Sequence, residues 1–253
     1  MKKLLVFFSL GLLIICSLSC SKNKDKNEPN NSFSNAKKIS LGKDEKMSIY
    51  PQDDIDFFKF TVKTPGIIFV EAGNNKPGNI NLIATVFNSS HEMLISNQEI
   101  PFKTGLGKGN YFISIFSSLN NIEEDTLFNI KLNSTEVMLD EFEPNNTNSE
   151  AKEIEINSEV EINLFPIGDK DIFKFQIKEN SVLEFLKEFQ VGKEKVDVKT
   201  SIFNSSGNCV LDNKSIPLEI ELAPGKYLLQ ISLKNTTDFY RDIFKIKINR
   251  INK

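Results

Sequence analysis

The chain lacks tryptophan altogether and has one histidine, His91, and three cysteines among its 253 residues. A zinc site needs four ligands drawn mainly from His and Cys, so this supply argues against zinc. Cys16 and Cys20 lie in or next to an apolar N-terminal run, which leaves Cys209 as the remaining thiol of the body once that run is removed and Cys20 is modified. No internal disulfide can then form. The fold must therefore be held by its core, for which 21 Phe and many Ile and Val provide β-prone apolar material.

An excess of positive charge is also missing. The chain has 31 basic and 34 acidic residues, and its net charge falls from −3 to −5 if a leader containing Lys2 and Lys3 is removed. A mildly acidic surface does not suit the phosphate backbone of DNA or RNA. We therefore expect no nucleic-acid partner.

The N-terminus has the pattern of an export signal. Lys2 and Lys3 precede an apolar run from Leu4 to Leu18, which is too short and wrongly flanked for a stable transmembrane helix. The small residues Ser17 and Ser19 stand before Cys20, and a polar stretch, 21–27, follows it. The alternative to a lipid-modified cysteine is an ordinary secretory signal in which Cys20 is incidental.

This arrangement resembles the lipobox of bacterial lipoproteins, with Ser17 at the position where that family prefers Leu. The resemblance implies a signal peptide over residues 1–19 and a diacylglycerol on the Cys20 thiol, with the freed amine acylated by a fatty acid such as palmitate. Several acyl chains hold a protein on a membrane without spanning it. We therefore expect a lipid-anchored protein of the cell envelope. Ser21 is compatible with sorting to the outer membrane, on its periplasmic or its surface-exposed side.

The rest of the chain is an internal repeat. The offset between matching segments is 115 residues at first and 116 after one insertion. The matching pairs are Glu28–Asn31 with Glu143–Asn146, Ala36–Lys37 with Ala151–Lys152, Asp54–Phe60 with Asp169–Phe175, Phe87–Ser90 with Phe203–Ser206, and Gly109–Tyr111 with Gly225–Tyr227. A shared order at a nearly constant offset predicts two duplicated domains, over 28–134 and 135–253, after a short tether over 20–27.

Both copies have the hydrophobic period of β-strands. Apolar runs such as Ile80–Phe87, Tyr111–Phe116 and Val196–Phe203 alternate with turn-forming Asn, Gly, Ser and Pro. The Leu and Glu content of Val182–Phe189 would also suit a helix, but its counterpart Ile67–Gly73 reads as a strand, so we predict strands for both. The predicted fold class is all-β, with two tandem antiparallel β-sandwiches.

The ordered motifs Glu-Pro-Asn-Asn, Ala-Lys, Asp-x-Asp-x-Phe-x-Phe and Gly-x-Tyr, present twice, resemble the bacterial pre-peptidase C-terminal domain. That resemblance implies a jelly-roll-like sandwich of the kind appended to secreted proteases, although no protease is attached in this chain. The motifs are also similar to those of the collagen-binding domains of clostridial collagenases. In that group, calcium is bound between an acidic N-terminal segment and a later Asp-x-Asp loop.

The corresponding residues have the chemistry of a calcium site, because calcium takes six to eight oxygen ligands. The second copy provides Glu141, Glu143, Asn145, Asn146, Asp169 and Asp171, the last two after the turn residue Gly168. The first copy provides Glu28, Asn30, Asn31, Asp53, Asp54 and Asp56, but Lys26 stands where the second copy has Glu141, which makes the second copy the better candidate. The alternative is that these Asn and Asp residues only form turns.

Catalytic interpretations are weaker. His91 lies in a polar turn without a Gly-x-Ser-x-Gly motif, and Cys209 has no histidine in its copy. Gly105–Gly109 superficially resembles a phosphate loop, but no helix follows it, so we predict a turn before a strand. We therefore expect no enzyme and no small-molecule substrate. The favoured function is adhesion or binding, with an extracellular-matrix or envelope protein as partner; the alternative is a spacer or accessory subunit that assists a separate secreted enzyme.

Overall fold

The computed structural model describes residues 25–74, 81–118 and 126–251. The predicted signal peptide and Cys20 lie outside these ranges. Within them, regular structure consists of strands and one 3-10 helix, Phe33–Asn35. None of the helical structure in this part of the chain is long and apolar enough to cross a membrane. The predicted all-β fold is therefore confirmed.

Nine strands form the first half of the molecule. They are β1 (Lys37–Lys38), β2 (Asp44–Met47), β3 (Ile55–Val62), β4 (Gly66–Asn74), β5 (Leu82–Asn88), β6 (Met93–Glu99), β7 (Phe102–Leu106), β8 (Gly109–Ser117) and β9 (Phe128–Glu136). One sheet has the order β1-β3-β8-β5-β6 and the other the order β2-β9-β4-β7. All strand pairs in this half are antiparallel except β1 with β3.

The second half repeats this arrangement strand for strand. Its strands are β10 (Lys152–Glu153), β11 (Ser158–Leu164), β12 (Lys170–Ile177), β13 (Ser181–Phe189), β14 (Val198–Asn204), β15 (Cys209–Ser215), β16 (Leu218–Leu222), β17 (Gly225–Leu233) and β18 (Tyr240–Ile251). The sheet orders are β10-β12-β17-β14-β15 and β11-β18-β13-β16. The segment Val182–Phe189 lies in β13, so the predicted strand is confirmed there. The exact limits of the two domains stay a prediction, and β9 extends to Glu136.

Each half has its own apolar core, which follows from the alternation along its strands. On β3 the side chains of Asp56, Phe58, Phe60 and Val62 are buried, whereas Lys59 between them is exposed. The same pattern recurs on β12, where Phe173, Phe175 and Ile177 join the second core. Burial of such a face removes apolar surface from water at roughly 25 cal/mol per Å², which makes it the main source of stability.

A third apolar cluster joins the two halves. Phe165 is fully buried against Ile67 of β4 and Val137, and Ile167 donates its backbone N–H to the carbonyl oxygen of Gly105 at 3.0 Å. A Cβ atom on Gly105 would lie 2.5 Å from the Phe165 ring, so glycine is what permits this approach. The loop that follows β11 therefore packs on the first half and also leads directly to Asp169.

Candidate metal centre

Three carboxylates meet in each half of the molecule. In the first half they belong to Glu28, Asp54 and Asp56, and in the second half to Glu143, Asp169 and Asp171. Each residue contributes one oxygen, and the three oxygens of a cluster lie within 4.8 Å of one another. The segment and the loop predicted to form a calcium site are thus brought together in both copies.

The strands explain this convergence. Asp56 on β3 and Asp171 on β12 point inward with the core residues of the same strand face, and both are fully buried. The residue after each aspartate donates its backbone N–H to the backbone carbonyl of an asparagine in the acidic segment. Phe57 donates to Asn30 at 2.8 Å, and Ile172 donates to Asn145 at 3.0 Å. These two hydrogen bonds fix the glutamate-bearing segment next to the Asp-x-Asp turn.

Many polar atoms of these clusters are buried without a partner. Both carboxylate oxygens of Asp56 and of Asp171, and both side-chain amide atoms of the fully buried Asn30 and Asn145, have no hydrogen-bond partner of ordinary geometry among the described residues. The Asn30 and Asn145 amides lie near enough to Asp56 and Asp171 to offset a small part of the rise in the pKa of each carboxyl. One oxygen each of Glu143 and Asp169 is in the same condition. Burial of an unpaired charge is costly, and buried charges are ordinarily paired or coordinate a metal.

The pKa values of the clustered aspartates are raised, because the carboxyl groups are buried close to one another. Burial, with the nearby negative charges of Asp25 and Asp54, raises the pKa of Asp56 to about 9. Burial and the charge of Glu143 raise the pKa of Asp169 to about 8, and burial followed by the charge of Asp169 raises the pKa of Asp171 well above its usual range. The pKa of Asp54 rises to about 6 for the same reasons, burial and the charge of Glu28. Each site thus brings together more carboxyl groups than can all be ionised in the metal-free folded chain.

Asp25 and Asp140 are site residues that the motifs did not indicate. The Asp140 carboxylate accepts the backbone N–H groups of Phe142 at 2.9 Å and Asn163 at 3.0 Å. Asp25 accepts those of Asn27 and Ser48, both at 2.7 Å. Each aspartate therefore ties the acidic segment to a neighbouring strand end and adds negative field to the cluster. The two aspartates are 115 residues apart, which is the offset of the repeat, and this shared offset is the sequence signal from which they could have been predicted.

Other predicted ligands lie at the edge of the sites or outside them. Asn31 donates to Asp54, whereas Asn146 accepts the Lys170 N–H at 3.0 Å. Asp53 is exposed in the turn, with a left-handed φ of 68° that Gly168 shares at 78°.

Glu141 is exposed and is not brought into the cluster of the second half. It follows Asp140, whose carboxylate accepts backbone N–H groups, and it lies in the turn at residues 141–142, where its side chain faces solvent. In the first half, the Lys26 ammonium pairs with Glu45 at 3.0 Å. The expected difference between the copies rested on these two positions, yet the same three carboxylates converge in both.

The donor set fits calcium. Every candidate ligand atom is an oxygen from a carboxylate or an amide, and hard cations such as calcium prefer these atoms. Zinc prefers nitrogen and sulfur ligands, which the two clusters lack. Glu143, Asn145, Asp169 and Asp171 would hold the ion in the second half, and Glu28, Asn30, Asp54 and Asp56 in the first.

The residues considered for catalysis lie elsewhere. The His91 ring stacks on Phe33 with ring centroids 4.1 Å apart, and its edge meets the Phe112 ring at 5.1 Å. Cys209 is an exposed free thiol whose Sγ donates to the Leu211 carbonyl. Gly107 and Lys108 form the turn between β7 and β8.

Comparison with known proteins gives similarities to solved β-sandwich structures. No family model and no curated protein matches the chain. The pre-peptidase C-terminal domain of a collagenase from Bacillus anthracis is 19% identical, covers 41% of this chain and 99% of its own, and has a TM-score of 0.32. The CUB1-EGF-CUB2 region of human MASP-1/3 is 9% identical over 83% of this chain and 99% of its own, with a TM-score of 0.25. The tandem CBM22 domains of Paenibacillus barcinonensis Xyn10C are 7% identical over 84% of this chain and 92% of their own, with a TM-score of 0.22.

Proposed function

We propose that the protein is a non-catalytic envelope lipoprotein whose two β-sandwiches are stabilised by calcium and serve as binding modules. The observation that carries this proposal is the pair of buried carboxylate clusters with unpaired oxygens. A divalent cation would neutralise the repulsion in each cluster and give the orphaned oxygens a partner. The lipid on Cys20 would hold the chain at the membrane, consistent with the motif around that residue.

The calcium part is tested by thermal unfolding with and without millimolar calcium. We expect calcium to raise the melting temperature, because a ligand that binds only the folded state stabilises it. Asp171→Asn should raise the melting temperature of the metal-free protein, since a neutral amide avoids the cost of protonating a buried carboxylate on folding, and should reduce the response to calcium. Glu141→Gln is the matched control: an exposed carboxylate outside the cluster should leave the response unchanged. A wild type that ignores calcium would overturn this part.

A cleft between the two halves supports the binding part. Its volume is 680 Å³, and apolar side chains from both halves, including Phe69, Phe102 and Phe239, line it together with Lys103 and Arg241. Phe69 is 40% exposed although it is large and apolar. The cleft is also lined by Glu194, Asp238 and Asp242, and the aromatic residues and arginine that it contains are of the types enriched in protein–protein interfaces.

We expect the full chain to retain an envelope or matrix protein in a pull-down from such extracts, and Phe69→Ser to weaken that retention. Met138→Ser is a control, because Met138 is 86% exposed and is not among the residues that line this cleft. Equal retention by wild type and Phe69→Ser would exclude the cleft as the binding surface. Absence of any retained protein would favour the alternative role as a spacer, for which the packing of Phe165 between the halves is suited.

A further inference from the structure

The second half has an open cleft on the outer face of its five-stranded sheet. The cleft has a volume of 470 Å³, within the range of small-ligand sites, which is about 300–1,000 Å³. Leu228 of β17 and Ile154 provide apolar surface, and polar side chains surround them: Asn148, Glu153, Lys174, Gln176, Asn204 and Lys226. The cleft differs from the carboxylate site in charge, because two lysines and one glutamate line it.

The same place in the first half is filled by aromatic rings. Phe33 packs edge-on against Phe57, Phe87 and Phe112, with centroids 4.8, 5.0 and 5.3 Å away, and His91 stacks on its face. By the repeat offsets, Phe33 corresponds to Asn148 and His91 to Gly207. The cleft therefore exists in the second half because aromatic rings are replaced by smaller side chains: Phe33 by Asn148, His91 by Gly207 and Phe112 by Leu228.

Backbone hydrogen bonds confirm this correspondence. The N–H of His91 donates to the Asn88 carbonyl at 3.0 Å, and that of Gly207 donates to the Asn204 carbonyl at 2.9 Å. Both residues have a left-handed φ, 65° for His91 and 78° for Gly207. The hydroxyls that flank Phe33, on Ser32 and Ser34, lie 2.9 Å apart, as do those of Thr147 and Ser149 around Asn148.

Several polar side chains of the cleft are free to form hydrogen bonds or ion pairs with a ligand. Neither Lys174 nor Lys226 forms an ion pair with any residue in the described ranges, and Glu153 is the one acidic residue that faces them across the cleft. The amides of Asn148 and Gln176 can each donate and accept, which suits ligands rich in hydroxyl groups. Lysine ammonium groups add affinity for a carboxylate.

The sheet also limits what the ligand can be. The strands β14 and β17 beneath the cleft are paired on both sides, and β10 pairs with β12 at Phe173 and Lys174, so little free edge remains for a peptide to extend the sheet. Recognition must therefore come mainly from side chains. An apolar floor can pack against the C–H face of a sugar ring, while amides and ammonium groups bind its hydroxyl and carboxylate groups.

We infer that this cleft binds an acidic saccharide, in which a carboxylate lies between Lys174 and Lys226 and a ring packs on Leu228. The inference rests on the proposed role as a binding module but is independent of calcium. The ligand is held by side chains and undergoes no reaction.

The test is a calorimetric titration of the full chain with a galacturonic acid trisaccharide, with the galactose trisaccharide as a neutral counterpart. We expect binding of the acidic sugar, and weakening by about tenfold or more in Lys174→Gln/Lys226→Gln, because charged hydrogen bonds are lost. Asn148→Phe/Gly207→His should abolish binding, since it installs the residue pair that fills the first half. Lys59→Gln in the first half is the matched control and should bind as the wild type does.

Several results would overturn the inference: no binding of the acidic sugar, equal binding of the neutral one, equal binding by the filled variant, or equal binding of a hexaglutamate peptide. An unchanged melting temperature and calcium response in each variant would show that it is folded. A chain that responds to calcium but binds no sugar would refute this inference alone. A chain that binds the sugar without responding to calcium would refute the calcium proposal alone.

Discussion

The raised pKa values of Asp56 and Asp169 predict how the metal-free protein responds to pH. Asp56 has a pKa of about 9 in the folded chain against an ordinary value of 3.8. Between these two values the folded chain keeps a proton on Asp56 that the unfolded chain has released. The folded state therefore binds more protons, and the free energy of unfolding must fall as the pH rises through this window. Asp169 acts in the same direction up to about pH 8.

The size of the effect follows from the number of protons. A difference of one bound proton changes the free energy of unfolding by about 1.4 kcal/mol per pH unit. Between pH 5 and pH 8, Asp56 alone would lower the stability of the first half by on the order of 4 kcal/mol. For a domain of this size about 1 kcal/mol corresponds to 4–8 °C in melting temperature, so the fall should be roughly 10 °C or more.

Calcium should cancel this dependence. A bound cation needs ionised carboxylates, so the proton difference between the folded and unfolded states disappears when calcium is saturating. The assay is thermal unfolding at pH 5, 6, 7 and 8, in a chelator and in millimolar calcium. We expect the two curves to lie close together at pH 5 and to separate as the pH rises.

Two variants make the assay specific. Asp56→Asn should flatten the metal-free profile of the first half, whereas Asp53→Asn, which changes an exposed neighbour outside the cluster, should leave it as it is. A metal-free melting temperature that stays constant or rises from pH 5 to pH 8 would refute the reasoning. A calcium effect of equal size at pH 5 and pH 8 would do so as well.

Two further predictions concern the junction and the anchor. Gly105→Val should lower the stability by about 1–3 kcal/mol in thermal unfolding, because its Cβ would lie 2.5 Å from the Phe165 ring and 2.7 Å from the Phe239 ring; an unchanged melting temperature would show that the halves do not pack there. Cys20→Ala should move the protein from the detergent phase to the aqueous phase and end its labelling by a fatty acid, and continued labelling would show that Cys20 is not the lipidated residue.

The strands and their duplication could be predicted because both depend on local patterns. The period of two along β3 and β12 is set by one buried face, and equal offsets between motifs require equal topology. The convergence of Glu143, Asp169 and Asp171 could be predicted for the same reason, since these residues lie in repeated motifs next to a strand with one buried face.

Other features depend on tertiary contacts that no motif contains. Phe165 and Tyr50 occupy equivalent positions, yet Phe165 is fully buried between the halves while Tyr50 is 43% exposed. Asp25 fell within the predicted tether, but it binds backbone groups of the first half through contacts that span 23 residues. The cleft on the second half arises at positions where the two copies differ in sequence, such as Asn148 and Gly207, and these positions belong to none of the repeated motifs.

The most direct test of the account is the calcium stoichiometry of the full chain, measured by equilibrium dialysis at pH 7.5. One ion in each carboxylate cluster predicts two bound calcium ions per chain for the wild type. Asp56→Asn and Asp171→Asn should each remove one ion, and the double variant should bind none. A wild-type chain that binds no calcium at millimolar concentration, or a double variant that still binds two ions, would contradict the central claim.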